Sequence, residues 1–269
     1  NYYHLVTEDL SWDEAVKACE DRGGNLATIT SEAEWNAIKA QLGDSMNGRD
    51  IWIGGTDAEV EDEWKWVTGE PWEWTYWRPR EPDDHFGVSD HLFINGGRTD
   101  NATKLRWNDH TIDFNDPAFS SYAVEGYLGE FGWGSISGSV RYSGDKSGLI
   151  YLSITGGPAD HPGGSVTMNQ PTTFSFPELV KGFEYTISAY KDVNGDGQKQ
   201  ANEPFGRYIY TPHMLKDDLV DIVITLYDEN RPPNPLVLNG QSVHDNDEVG
   251  TEIGIVIPSD PDEGQELLV

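Results

Sequence analysis

Between Arg80 and Asp90 the chain reads REPDDHFGVSD, which crowds the carboxylates of Glu81, Asp83, Asp84 and Asp90 into one short stretch. Carboxylates this close repel one another unless a cation sits among them. Upstream, Asp57 and Glu61 stand in DAEVEDE; downstream, Asn108 and Asp109 add an amide and a further carboxylate. All of these are hard oxygen donors. Calcium accepts about six to eight such oxygens and tolerates irregular loops, whereas magnesium demands tighter geometry and zinc prefers nitrogen and sulfur. Pro82, between two acids, can fix a tight turn that splays Glu81 and Asp83 toward one point; a cis bond there costs little more than trans.

A second stretch carries the same chemistry in a more specific pattern. DVNGDGQKQANE fits the calcium-loop template of alternating oxygen donors, a glycine and a distal glutamate. Asp192, Asn194 and Asp196 are the side-chain donors, Gln198 offers its backbone carbonyl, Glu203 can bind through both oxygens, and Gly197 allows the sharp turn. The flanks are not helical. EYTISAY before the loop alternates like a strand, and Pro204 with FGRYIY follows it, so the expectation is a calcium loop inserted in a β-domain.

The competing reading of every acidic stretch is a solvated surface. The chain has 47 Asp and Glu against 18 Lys and Arg, for a net charge of -29. That excess repels nucleic-acid phosphate and disfavours a bare anionic membrane. No apolar run is long enough to span a bilayer. Cys19 is the single cysteine, so an intrachain disulfide is impossible, and its place on the apolar side of a predicted helix suits a small buried hydrophobe. His85, His91 and His110 lie near the acidic loops, which leaves a zinc cluster as an alternative. No HExxH, GxSxG or phosphate-loop pattern appears, and two acids flanking a proline make better ligands than a general acid and nucleophile. An enzyme is not expected.

The elements that must position these donors are legible in outline. SWDEAVKACEDRG (Ser11–Gly23) predicts a helix with a Ser11/Glu14 capping box, an apolar face of Trp12, Ala15, Val16 and Cys19, and Gly23 as its stop. SEAEWNAIKAQLG repeats the pattern with Ser31, Glu34 and the face Trp35, Ile38 and Leu42. IWIGG, EWKWV, HLFIN, LRW and YAVEGY then predict short strands between long loops, and loops this long are usually functional or tied down by ions. Trp52, Trp64, Trp66, Trp77 and Trp107 are expected in the core. Trp72, Trp74 and Tyr76 alternate along one face and could instead offer sugar rings a stacking platform.

GEFGWGS (Gly129–Ser135) reads as a linker. SISGSVRYS, GLIYLSIT, TFSF, FEYTISAY, FGRYIYT and VDIVITLY follow with no helix signal, which predicts a small β-sandwich. DENRPPNP reads as a stiff second linker, and the remainder as the start of a further strand-rich module. The expected domains are therefore 1–130, 134–228 and an incomplete module at 236–269. Beginning at Asn1, the chain reads as a piece of a longer protein.

SWDEAVKAC, GGNLATI, WIGG, WKWVTGEPWEWTYW, EPD, WND and YAVE, in that order, resemble the C-type lectin family over about residues 2–128. The resemblance implies an α+β C-type lectin fold, followed here by the all-β immunoglobulin-like sandwich and the partial β module. It implies a calcium ion held by Glu81, Asp83, Asn108 and Asp109, with two neighbouring sugar hydroxyls completing the shell. It also implies an auxiliary ion at Asp57, Glu61, Asp84 and Asp90. Family members often carry a further Glu where Ser89 stands. Members usually pair an acid with an amide around the proline, whereas Glu81 and Asp83 are both acceptors. Cysteines usual at positions 91 and 124 are His91 and Val124 here. The sandwich resembles calcium-stabilised repeats of bacterial surface proteins. The tail resembles the start of a cadherin-like repeat, in which Asp228, Asn230, Asp260 and Asp262 would hold interdomain calcium. The expected whole is a calcium-dependent carbohydrate-binding module of an extracellular, secreted or cell-surface adhesin, with two or three calcium ions and glycan partners. The alternative is a domain that uses calcium for stability and binds protein.

Overall fold

The computed structural model describes residues 1–84, 87–97, 103–110, 124–208 and 212–228, and the backbone of 237–239 and 255–257. It divides into two compact units. The first holds residues 1–134 with the short segments Val180–Gly182 and Met214–Asp217; the second holds the rest.

In the first unit the order is β1 (Tyr2–Val6), α1 (Trp12–Asp21), β2 (Asn25–Leu26), α2 (Glu32–Leu42), β3 (Ile51–Thr56), β4 (Lys65–Trp66), β5 (His91–Ile94), β6 (Trp107–His110) and β7 (Tyr127–Phe131). The sheet runs β1-β7-β3-β5-β6, with β2 on β7 and β4 on β3. Its first and last strands therefore meet: Tyr2 pairs with Phe131 and Val6 with Tyr127 in antiparallel register. The GEFGWGS stretch is accordingly not a linker. Its first residues complete β7, which is buried throughout, and Trp133 already opens the next strand. Gly129 serves close packing, since a Cβ there would lie 2.9 Å from the Phe131 ring. Composition alone hides that reason.

Helix α1 has the expected reciprocal cap. Glu14 N donates to Ser11 Oγ at 3.3 Å, and Ser11 N donates to Glu14 Oε2 at 2.9 Å. Gly23 follows with φ of 80°, the left-handed stop that glycine accepts without strain. Helix α2 keeps only half of its box. Glu34 N donates to Ser31 Oγ at 3.2 Å, but the Glu34 carboxylate turns to Thr30 N at 2.7 Å and to the Tyr3 hydroxyl. A tertiary partner on β1 has outcompeted the local one.

Trp35, Ile38, Ile51, Ile53, Leu92, Ile94 and Trp107 form one fully buried core. A second packs Trp12, Ala15, Cys19, Leu26, Trp52 and Phe93 around Val124. Cys19 and Val124 thus lie in one apolar cluster, where packing joins helix α1 to the segment entering β7. Trp72, Trp74 and Tyr76 are half-buried and face this interior rather than solvent. Trp72 lies 4.5 Å from Trp66, and Trp74 meets Trp107 edge-on at 5.2 Å. Their alternation serves core packing, with one side of each ring against the buried cluster.

In the second unit, no residue among those described is helical. β8 (Trp133–Arg141), β11 (Thr173–Val180) and β15 (Leu219–Thr225) form one sheet in the order β11-β8-β15, with β15 parallel to β8. β9 (Leu149–Gly156), β10 (Ser165–Met168), β12 (Glu184–Asp192), β13 (Phe205–Arg207) and β14 (His213–Met214) form the other. Strands β9 and β12 pair over eight residues, from Tyr185 opposite Gly156 to Asp192 opposite Leu149. Alternate residues are buried in both sheets, as Ile150, Leu152 and Ile154 show in one and Ile222 and Ile224 in the other. The short strands β10 and β14 escape sequence reading because they bury almost nothing.

Beyond residue 228, β16 (Val237–Asn239) and β17 (Ile255–Ile257) pair antiparallel. Asn230, Asp260 and Asp262 lie outside the described residues. Asp228 is described, and its carboxylate takes Lys146 Nζ at 3.2 Å and the Tyr142 hydroxyl at 3.1 Å.

The Cys19 side chain is fully buried, and burial pushes its thiol up to about 12. A thiol so placed presents no thiolate at neutral pH. The expected result is no reaction with a thiol-exchange reagent in the folded protein and one equivalent after denaturation; rapid labelling without denaturant would contradict the core assigned here.

Candidate metal centres

Strand β6 sets the geometry of the first cluster. Alternation buries Trp107 and Asp109 on one face and leaves Asn108 and His110 half-exposed on the other. The segment approaching the proline motif runs beside it. Trp77 bridges Trp107 in parallel, and Arg78 N donates to Trp107 O at 2.9 Å. The Glu81–Pro82 peptide is cis. Asp109 then clamps the next turn, accepting from Asp83 N at 3.3 Å and Asp84 N at 2.8 Å. The result gathers one carboxylate oxygen each from Glu81, Asp83 and Asp109 within 4.8 Å of one another. Arg78 Nε lies 3.7 Å from Glu81 Oε1, within ion-pair range but too far for a hydrogen bond.

Asn108 completes the set. Its amide end faces Glu81, 2.9 Å from Oε1 and 3.3 Å from Oε2. With nitrogen in that place the amide donates to the carboxylate. With oxygen there, two acceptors confront each other and only a cation between them relieves the contact. The same four residues therefore serve either a closed hydrogen-bonded cluster or an ion.

The electrostatics set the carboxylates of this cluster against one another. Loss of water first, then Asp83 and Asp109, push Glu81 up to about 7. Burial also raises Asp109, although three backbone amides pull the other way. Carboxylates that cannot all ionise comfortably are good competitors for a dication.

The second cluster joins Glu61, Asp84 and Asp90, again with one oxygen each within 4.8 Å. Asp57 lies against it. Its carboxylate is buried and pushed up to about 6 by desolvation, then by Glu61 and Asp90. Asp62 N donates to Asp57 Oδ2 at 3.2 Å, but Oδ1 is buried with no hydrogen-bond partner. A buried acceptor left empty is costly, and an ion in this cluster would satisfy it. Asp84, with φ of 41°, links the two clusters: its amide serves Asp109, while its Oδ1 accepts from Ser89 N at 3.2 Å. Ser89, buried at this junction, contributes a backbone amide to the loop.

The 192–203 loop is organised differently. Asp192 accepts from Gly195 N at 2.6 Å and Gly197 N at 2.8 Å, and both glycines have positive φ. Glu203 accepts from Val193 N at 2.7 Å and Gln200 N at 3.1 Å. Asp196 N donates to Asn194 Oδ1 at 3.0 Å, and Gln198 N donates to Asp196 Oδ1 at 2.8 Å. The chain thus winds around the Asp192, Asn194 and Asp196 side chains, while Glu203 closes the turn. The carboxylates of Asp192, Asp196 and Glu203 do not form a group as tight as the other two. The Tyr190 hydroxyl donates to Gly197 O at 2.8 Å and braces the loop from β12.

No histidine belongs to either tight group among the described residues. His91 is buried 4.5 Å from Trp12, and burial lowers its pKa to about 4. His85 lies outside the described residues. Sequence reasoning missed Arg78 at the edge of the first cluster, although its place three residues before Glu81 was the available signal. It also missed Glu130, which is buried and held up to about 7 by desolvation, with Glu34 and Glu70 adding to the effect.

These shifts fix a sign. A carboxyl whose folded pKa is raised stabilises the protonated fold, and that contribution is lost as pH rises through the folded value. In chelator, melting temperature is expected to rise as pH falls from about 8 to 6.5 while Glu81, Asp57 and Glu130 take up protons. Below about 6.5 the depressed His91 works in the opposite direction, because the unfolded chain then binds its proton more readily. Thermal scans across this range in EDTA test the sign; a fall toward pH 6.5 would overturn it.

Residues 8–114 match the family model described as Lectin C-type domain. The match supports a C-type lectin domain in the N-terminal part of the chain. Halomucin of Haloquadratum walsbyi is 34% identical over 139 residues, which are 49% of this chain and 1% of that protein. C-type lectin domain family 4 member F of Rattus norvegicus is 36% identical over 30% of this chain and 15% of its own length. C-type mannose receptor 2 of Mus musculus is 28% identical over 72% of this chain and 13% of its own length. The chain thus spans a small part of each relative. Among solved structures, the mouse scavenger receptor C-type lectin carbohydrate-recognition domain aligns at 27% identity and a TM-score of 0.37, covering 48% of this chain and 89% of that one.

Proposed function

We propose that the N-terminal domain is a calcium-dependent carbohydrate-binding module of an extracellular, multidomain adhesin. The observation that carries the reading is the pair of tight oxygen clusters, Glu81–Asp83–Asp109 and Glu61–Asp84–Asp90, with the partnerless Asp57 Oδ1 buried beside the second. The donors are all oxygen, which suits calcium rather than zinc. A calcium ion on Glu81, Asp83, Asn108 and Asp109 would keep open coordination positions for two neighbouring sugar hydroxyls. Those hydroxyls would donate to the ligand carboxylates and accept from the Asn108 amide, and charge-assisted bonds of this kind are the stronger sort. An auxiliary ion at Asp57, Glu61, Asp84 and Asp90 would hold the loop from which the first site is built. A third ion on the 192–203 loop, through Asp192, Asn194, Asp196, the Gln198 carbonyl and Glu203, would staple a β-sandwich module. One sugar binds such a site weakly, and repetition along a long protein raises avidity. No described helix is long and apolar enough to cross a membrane.

One observation favours a second reading, in which the ions serve stability and the surface binds protein. Asp83 supplies an acceptor where a sugar hydroxyl already has Glu81 to donate to, so Asn108 is the single amide donor of the set.

Calcium titration by calorimetry, with and without simple sugars, separates the readings. Two or three equivalents of calcium are expected, with sugar heat appearing only in calcium. Asn108→Asp removes the amide donor and is expected to abolish sugar binding while leaving melting temperature in calcium nearly unchanged; loss of both would assign that ion to structure. Asp57→Asn is expected to change sign with conditions. In EDTA it removes a buried charge and raises melting temperature, whereas in calcium it removes a ligand and lowers it.

A further inference from the structure

Tyr76–Arg80 reads YWRPR and Thr103–Trp107 reads TKLRW, together four bases and no acid in a chain where acids outnumber bases 47 to 18. These segments lead directly into Glu81–Asp83 and Asn108–Asp109. They also lie side by side: Trp107 N donates to Tyr76 O at 2.9 Å, and Arg106 Nη1 donates to Trp77 O at 3.2 Å. The Tyr76 ring is flanked by two cations. The Arg106 guanidinium lies 4.6 Å from its centroid and the Lys39 ammonium 5.3 Å. Among the described residues, Lys17, Lys65, Lys146 and Lys181 each have a carboxylate within ion-pair range. Arg106, Lys39 and the exposed Arg80 have no ion-pair partner among the described residues.

Position ties these cations to the first cluster. Trp107 and Asp109 are buried while Arg106 and Asn108 are half-buried, so Arg106 and Asn108 share one side of the extended chain, about 7 Å apart. Arg80 is bonded directly to Glu81. A dication together with Arg78 would balance the three carboxylates of the first cluster, leaving Arg80, Arg106 and Lys39 without an ion-pair partner among the described residues. If these cations merely shielded the acidic loops, they should sit in ion pairs. Instead two of them lie over an aromatic ring, and Arg106 is further held by its Nη1 bond to Trp77 O, which commits one donor, leaves the other N–H groups for an anion and lowers the ordering cost of gripping it.

We propose that this ridge selects an acidic glycan. Neighbouring hydroxyls of one pyranose meet the ion held by Glu81, Asp83, Asn108 and Asp109, and a carboxylate or sulfate ester on the same or the next sugar meets Arg106 and Arg80. The proposal rests on the sugar-binding reading above. A planar guanidinium suits both anions, since each offers two oxygens to two N–H donors.

Dextran, carboxymethyl dextran and dextran sulfate share one backbone and differ in charge, which makes them the probes. In calcium at low salt, both charged polymers are expected to bind the full chain about tenfold tighter than dextran, despite the overall negative charge. Arg80→Gln with Arg106→Gln is expected to bring them down to the dextran level while dextran binding is unchanged. Arg80→Gln alone, at an exposed side chain, should give part of the loss with no shift in melting temperature, which guards against a packing effect at Tyr76. A preference for only one charged polymer would assign the anion as carboxylate or sulfate. Equal binding of all three polymers would overturn the proposal, as would a preference that survives the double substitution, which would mean calcium bridging. Dextran binding with and without EDTA reports on the ion reading separately, so the two can fail independently.

Discussion

Repulsion among carboxylates held a few ångströms apart is the constraint on which the N-terminal domain turns. Glu81, Asp83 and Asp109 are brought together by one strand and one turn, and Glu61, Asp84 and Asp90 by the loop beside it. The backbone is committed to that closeness. Asp109 spends its carboxylate on two successive amides, and Asp84 takes a left-handed conformation to reach the other cluster. Without a cation the cost appears as carboxyls forced toward protonation and as one buried oxygen with nothing to bind. A dication would reverse the sign of each of those terms, because the same oxygens that repel one another would all attract it.

That closeness needs a rigid base, and the sheet supplies it. Strand β5 is buried along its whole length and pairs residue by residue with β6, so Asn108 and Asp109 are fixed by their register against Phe93 and Leu92. Beneath them lies an unusually aromatic core, in which Trp66, Trp72, Trp74 and Trp77 crowd Trp107 from several sides. Large rigid rings leave little room for the loop to slide. On the opposite side, Cys19 and Val124 share an apolar cluster, so packing rather than a covalent link joins helix α1 to the end of the domain.

The second unit meets a similar demand with local means. The loop between β12 and β13 is wound by side chains that bond amides two to five residues away, and two glycines take conformations other residues avoid. Its donors are set by near neighbours in sequence, whereas those of each cluster in the first domain come from segments about thirty residues apart. This is why one loop fits a single continuous pattern, while each of the other clusters is split between separate stretches of sequence.

The sequence by itself determined what local rules control. It contained helix α1 with its reciprocal cap, the alternation that makes β9 and β12 strands, the 192–203 loop, and the acids of both clusters. Only the tertiary structure decided what depends on distant partners. Glu34 left its capping box for Tyr3, GEFGWGS became strand because β1 was there to pair with it, and the alternating Trp72, Trp74 and Tyr76 turned inward onto Trp66 and Trp107. The presence of Asp57, Glu61, Asp84 and Asp90 was likewise plain, but the empty buried oxygen of Asp57 was not. Residue type fixes which atoms can bind a cation, while the energy that makes binding favourable comes from desolvation and proximity, and those exist only once the chain has folded.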